Sequence, residues 1–245
     1  MKATKYILRI VMFATLLIPP TIGHSQDYVG DMKKITERFT KGDISFREKY
    51  CFYPSDSIKK VADSINIYCC LSGQNYYYKI TSGGKSFEYY KNSKYYFVVD
   101  HSESAIAVKK SPEAQQQMWD ISKVDSLIHS QGVKITYKDL ESNKGEYDIA
   151  ISGKLWNRLK LVFNKSDYSL EKMYVYSSSK GKMYGTTYNK PMIVIYYSGY
   201  SEKQLDKSIF SESKYFYDTK DAIVLGDSYK KYTLLDYVYK MSKRG

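Results

Sequence analysis

Two imidazoles, three thiols and many scattered carboxylates are the side chains of residues 26–245 that could do chemistry. His101 and His129 read as lying at a strand end and a helix end. Neither belongs to a His/Cys/Asp cluster with metal-ligand spacing, so no metal is expected. There is no G-x-S-x-G elbow, no H-E-x-x-H pair and no Gly-rich loop to cradle a phosphate. A Ser-His-Asp set assembled from distant positions stays open on one sequence, although either histidine serves more often as a surface or structural residue than as a base. Asp and Glu mostly stand beside lysines or in turns, where a solvated face accounts for them. The expectation is a protein without catalysis or cofactor.

The thiols invite a different chemistry. Cys51 reads as lying on one strand and Cys69-Cys70 on the next. A neighbouring strand pair would bring Cys51 within bridging distance of one of them. Adjacent strand residues point to opposite sheet faces, so Cys51–Cys69 and Cys51–Cys70 exclude each other. The alternative is three buried thiols.

The elements that would position these groups follow from periodicity. Tyr28, Met32, Ile35 and Phe39 recur at spacings of four, three and four, which predicts an amphipathic helix ending at Lys41-Gly42-Asp43. Short apolar runs then alternate with turn signals: Ile44–Tyr53, Ile65–Leu71, Tyr76–Thr81, Lys85–Lys91, Lys94–Asp100 and Ala105–Lys109. Ser72-Gly73-Gln74-Asn75, Ser82-Gly83-Gly84 and Asn92-Ser93 separate members of the set, as in an antiparallel meander. Ser111-Pro112-Glu113 opens a second predicted helix, with Met118, Ile121, Val124 and Ile128 on its stripe and Gln131-Gly132 at its end. The meander resumes with Val133–Leu140, Tyr147–Ser152, Arg158–Asn164, Tyr168–Tyr176 and Pro191–Ser198. The expected fold class is mainly β with α: an unclosed antiparallel β-barrel, a strongly bent sheet with both helices covering its concave face.

The N-terminus reads as an address. Lys2, Lys5 and Arg9 precede and enter an apolar run from Tyr6 to Ile18, Pro19-Pro20 break it, and Gly23-His24-Ser25 offers a cleavage site. Residues 1–25 are expected to be a secretory signal cut near Ser25-Gln26, and the run is too short for a permanent membrane anchor. No cysteine stands at that site to carry a lipid. The chain has 38 basic and 26 acidic residues; without residues 1–25 it keeps 35 basic against the same 26, a net charge of +9. Nucleic acid is a poor partner for an exported chain, whereas such a surface suits transient contact with anionic membranes or acidic glycans. A generally basic, soluble surface explains the balance as well. Tyrosine is the anomaly, at 28 residues against two Trp and nine Phe. Its amphipathic ring can line a half-wet cavity, but most of these residues are expected to face solvent from strands.

Three segments carry a resemblance. Lys85-Ser86-Phe87-Glu88-Tyr89-Tyr90-Lys91 through Tyr95-Tyr96-Phe97-Val98-Val99-Asp100 is similar to a pair of strands in the periplasmic lipoprotein-carrier (LolA/LolB-like) family. Arg158–Phe163 through Tyr168–Met173 resembles its later hairpin, and Met192–Tyr200 followed by Leu205–Phe210 resembles its closing strand and small loop. The likeness runs from about Gln26 to Phe216 and implies a half-barrel domain at 26–221, with 222–245 as a Tyr/Lys-rich extension past the family's usual end. Ser72-Gly73-Gln74-Asn75 departs from the family's basic residue and Pro, and the three early cysteines are unusual for it.

What the resemblance implies is a periplasmic carrier of a lipid or lipoprotein acyl chain, bound in an apolar cavity between sheet and helical lid. Strand positions nominate Phe87, Tyr89, Tyr96, Val98, Leu161, Phe163, Ile193 and Ile195 as its lining. Ordinary core packing is the alternative for each, and a one-residue error in facing would invert the list. A different function also fits: a non-enzymatic component of an envelope or secretion assembly with a filled core, its C-terminal tyrosines making contacts with a protein partner. Glycan binding through exposed tyrosines is a third.

Overall fold

The structure is a computed structural model that describes residues 27–58, 60–111, 133–151, 156–183 and 186–239. One helix, α1 (Tyr28–Thr40), is followed by β1 (Asp43–Tyr53), β2 (Asp63–Ser72), β3 (Asn75–Ser82), β4 (Lys85–Lys91), β5 (Tyr95–Asp100) and β6 (Ala105–Lys110). Then come β7 (Val133–Leu140), β8 (Lys144–Ile151), β9 (Trp156–Asn164), β10 (Leu170–Ser177), β11 (Gly181–Met183), β12 (Thr186–Tyr188) and β13 (Met192–Ser201). The last elements are a single 3-10 turn at Lys207–Phe210, β14 (Phe216–Asp218), β15 (Ile223–Leu225), a second such turn at Asp227–Tyr229, and β16 (Thr233–Asp236).

The chain is mainly β, and its large sheet does not close. Two compact units divide it. The first comprises Met1–Arg38, Lys49–Ser64 and Gln116–Ser198; the second comprises Phe39–Glu48, Ile65–Gln115 and Gly199–Gly245. The strands of the first unit run in the order β13-β10-β9-β8-β7, and those of the second β16-β6-β5-β4-β3-β2.

In the first unit, α1 forms where the four-three-four spacing predicts it. Asp27 Oδ1 accepts the Gly30 N–H at 2.9 Å before the first turn, and Gly42, at φ 84°, ends the helix in the left-handed region that a side chain would resist. Met32 and Ile35 are buried. The Tyr28 ring meets Tyr147 of β8 edge to face at 4.9 Å, and Tyr147 Oη donates to the buried Asp31 carboxylate at 2.6 Å. Lys34 and Arg38 reach Tyr168 Oη and the Asp167 carbonyl, at 2.9 and 3.0 Å. The helix is therefore held by its apolar stripe and pinned by polar contacts along one side.

In the second unit β2 to β6 are a true meander, and each consecutive pair is antiparallel. Gly83 and Gly84 both take positive φ, the two-residue hairpin turn that matches strand twist. Tyr77, Tyr90, Phe97, Val99, Ile106 and Val108 face one side, and Phe210, Tyr215, Phe216, Ile223 and Tyr229 pack onto them. Residues 205–239 thus cap this side of the meander, and β16 adds to β6 in parallel.

Three expectations differ from what is seen. The three cysteines are buried free thiols, so the Cys51–Cys69 bridge is absent: Cys69 and Cys70 sit opposite Tyr78 and Tyr77 and each packs into its own face of the sheet. The tyrosines do not mostly face water, since among the described residues only Tyr68, Tyr217 and Tyr237 are exposed. Tyr90, Tyr95, Tyr137, Tyr147, Tyr215 and Tyr239 each donate their hydroxyl to a carboxylate. Strand β8 begins at Lys144 rather than Tyr147, because Lys144 and Gly145 still pair with Asn164 and Phe163 of β9. The second predicted helix and His129 lie outside the described residues.

Candidate functional site

Register decides which side chains share a face. Directly opposed residues point the same way, so the second unit has two distinct surfaces. The first is the capped side. There Glu88, only 8% exposed, accepts hydrogen bonds from Tyr90 and, at 3.1 Å, from Tyr215. Burial alone would raise the Glu88 carboxyl, but these phenols, with His101 and Lys79 nearby, hold it below its ordinary value. His101 places Nδ1 3.1 Å from Tyr232 Oη and Nε2 3.5 Å from Glu88. It ties the cap to the meander and has no serine or cysteine among these partners. Among the described residues no group of three or more His, Cys, Asp or Glu converges as a ligand set.

The other surface is the candidate site. Leu235 of β16 stands opposite Ala107, Ala107 opposite Val98, Val98 opposite Tyr89, Tyr89 opposite Tyr78, and Tyr78 opposite Cys69. This is one row of apolar or aromatic side chains across six strands. Five inter-strand steps of ~4.8 Å give it a length of about 24 Å. Exposure grades along it: Cys69 is fully buried, Tyr78, Tyr89, Val98 and Ala107 are half-buried, and Leu235 is 42% exposed. Beside the row, Tyr76 stacks on Tyr78 with ring centroids 4.9 Å apart, and meets Tyr96 edge to face at 6.4 Å. Desolvation pushes the Tyr76 and Tyr78 hydroxyls well up and that of Tyr96 up to about 12. These rings are half-buried and their hydroxyls are desolvated.

The eight residues nominated from the sequence fall into two sets. Phe87, Tyr89, Tyr96 and Val98 all lie on this half-buried face. Leu161, Phe163, Ile193 and Ile195 share one face of the first unit's sheet, where Met173 stands opposite both Leu161 and Ile195. All four are at most 4% exposed. Phe163 stacks on Tyr147, the ring that receives α1.

Tyr76, Tyr78, Ala105, Ala107 and Leu235 are members of the candidate face that sequence reasoning passed over. The first two were findable, because Gly83-Gly84 fixes the β3–β4 register and with it the side that Tyr78 shares with Tyr89. Ala105 and Ala107 alternate with the apolar Ile106 and Val108, so composition hides their side. Leu235 had no local signal at all.

No protein-family model matches the sequence, and no curated protein matches it. Solved structures do. The chain is similar to an uncharacterized conserved protein from Thermus thermophilus, with 6% identity, 75% of this chain and 91% of that one covered, and a TM-score of 0.46. It is similar to a DUF1329 family protein from Desulfovibrio piger, with 12% identity, 76% and 96% covered, and a TM-score of 0.36. A LolA superfamily protein from Nitrosomonas europaea matches at 12% identity, with 76% and 98% covered and a TM-score of 0.34.

Proposed function

We propose that the protein is an exported, non-enzymatic binder of a long acyl chain, working in the periplasm as a lipid or lipoprotein carrier. The observation that supports this reading is the asymmetry of the second unit. One side of its meander is filled by residues 205–239, while the other presents half-buried Phe87, Tyr89, Tyr96 and Val98. The open face of an antiparallel sheet usually carries polar side chains, whereas this one carries rings and Val98, and about 25 cal/mol is gained for each Å² of such surface that a ligand removes from water. Leu161, Phe163, Ile193 and Ile195 are assigned to the first unit's packing in this reading.

The full-length chain, purified from its own envelope, is examined by native mass spectrometry and titrated with a fluorescent C16 fatty-acid analogue. Co-purified lipid and saturable binding that Val98→Glu abolishes are expected. Protein that arrives empty and shows no saturable binding would overturn the proposal.

A second reading, contact with an envelope protein, has one observation in its favour. Tyr217 and Val224 stand opposite each other on the β14–β15 ribbon and are 54% and 48% exposed. Tyr217→Ser with Val224→Thr, compared with wild type in cross-linking on whole envelopes, tests it: a cross-linked partner lost in the variant supports this reading, and an unchanged pattern removes it.

A further inference from the structure

The row from Leu235 to Cys69 has a charged flank, and the register shows where. On the same face, Lys109 of β6 stands opposite Tyr96 of β5, and Tyr96 stands opposite Lys91 of β4. The two lysines therefore bracket Tyr96, their Cα atoms two inter-strand steps or about 10 Å apart. That spacing lets two four-carbon stems converge on one anion. Lys109 is exposed and Lys91 half-buried, and neither is in an ion pair among the described residues. On the opposite flank the carboxylate of Asp100 is turned to other use, accepting the backbone N–H groups of Ser102 and Glu103 at 2.9 and 3.0 Å. Asp100 thus stands four residues along β5 from Tyr96, away from the two lysines.

The middle of the row has its own feature. Ala107 lies between the larger Val98 and Leu235, with Ala105 two residues away on the same strand and face. Two alanines between bulkier neighbours leave a shallow trough over β6. Such a trough suits an unbranched chain better than a ring or a branched group.

We infer that the site takes a single-chain anionic amphiphile, its unbranched tail laid over Ala107 toward Tyr89 and its carboxylate or phosphate head held between Lys91 and Lys109. This rests on the acyl-binding reading above and adds the charge of the head, the lysines that read it and the width of the tail's path. Burial grades toward Cys69, so the far end of the tail points from Ala107 across Val98 and Tyr89 toward β2, while the head stays over Tyr96. The C-terminal strand, through Leu235, forms the rim of the path.

The test uses the full-length chain with three probes: palmitate, hexadecanol, which has the same tail and no charge, and inorganic phosphate. Palmitate should bind at least tenfold more tightly than hexadecanol, and phosphate alone should not displace it at millimolar concentration. The double variant Lys91→Gln, Lys109→Gln should bring palmitate down to the hexadecanol level while leaving hexadecanol unchanged. Ala107→Trp should weaken both by tenfold or more, with circular dichroism and Tm confirming the fold. If Ala107→Trp fails to fold, Ala105→Leu takes its place. Equal binding of palmitate and hexadecanol by wild type, or a palmitate preference that survives loss of both lysines, overturns the inference while acyl binding stands. Displacement by phosphate alone would make the lysines a simple anion site and also overturn it. Absence of binding by either C16 probe is the separate failure of the acyl-binding reading itself.

Discussion

Tyr215 donates a hydrogen bond to Glu88 at 3.1 Å across 127 residues of chain, and Tyr90 donates to the same carboxylate oxygen. The phenols supply what water would supply, so a carboxylate can sit on the capped side of the meander without leaving it empty. The same chemistry recurs where Tyr147 donates to Asp31, and where Tyr95 and Tyr239 donate to Asp218. In each pairing the ring occupies space beside its neighbours while its hydroxyl satisfies an acid.

Tyr215→Phe removes one of those donors and leaves the ring. A hydrogen bond to a charged, buried acceptor contributes about 1.5–3 kcal/mol, and a stability loss of that size is expected. Urea unfolding followed by tyrosine fluorescence measures it. A loss below ~0.5 kcal/mol would show that the carboxylate does not depend on Tyr215.

Acid should loosen the start of the cap. The Asp43 carboxylate takes Lys207 Nζ at 2.7 Å, Ser72 Oγ at 2.7 Å and the Leu205 N–H at 3.1 Å. These partners lower its pKa from 3.8 to about 2. A carboxylate depressed in the folded state stabilises the fold above its unfolded pKa, and that contribution fades as pH falls through the folded value. Stability should therefore decline between about pH 4 and pH 2, and Asp43→Asn should flatten part of the decline. Thermal melts at stepped pH decide it; parallel curves for variant and wild type would contradict the assignment.

Gly145→Ala tests the close packing in the first unit. A Cβ there would stand 2.7 Å from Phe163 Cζ and 3.0 Å from Tyr137. The Phe163 ring is fully buried and stacked between Tyr147 and Tyr168, so it has nowhere to retreat. Overpacking of this kind costs roughly 1–3 kcal/mol, which should appear as a lower Tm. An unchanged Tm would mean the ring yields freely.

The thiols should be silent until the fold opens. Cys51, Cys69 and Cys70 are buried, and desolvation raises the pKa of each. A thiol reagent is expected to leave all three untouched in native protein and to modify all three in denaturant. Intact mass before and after reduction should agree. A mass gain of two hydrogens on reduction would restore the bridge that the sequence suggested.

Local patterns were enough to place most elements. The four-three-four stripe of α1, the Gly83-Gly84 turn and the short alternating runs of β2 to β6 follow from steric and periodic rules acting over a few residues, and a single chain displays them in full. The choice of Phe87, Tyr89, Tyr96 and Val98 as one set was legible for the same reason, because alternation puts them on one face. Which side that face belongs to was not legible. It depends on residues 205–239 folding back onto Tyr90 and Phe97, a contact made across more than a hundred residues, and on the four-residue strand β16 adding Leu235 to the row. Such pairings leave no periodic trace in the sequence, since their gain comes from surface buried between distant segments rather than from the conformation of either one.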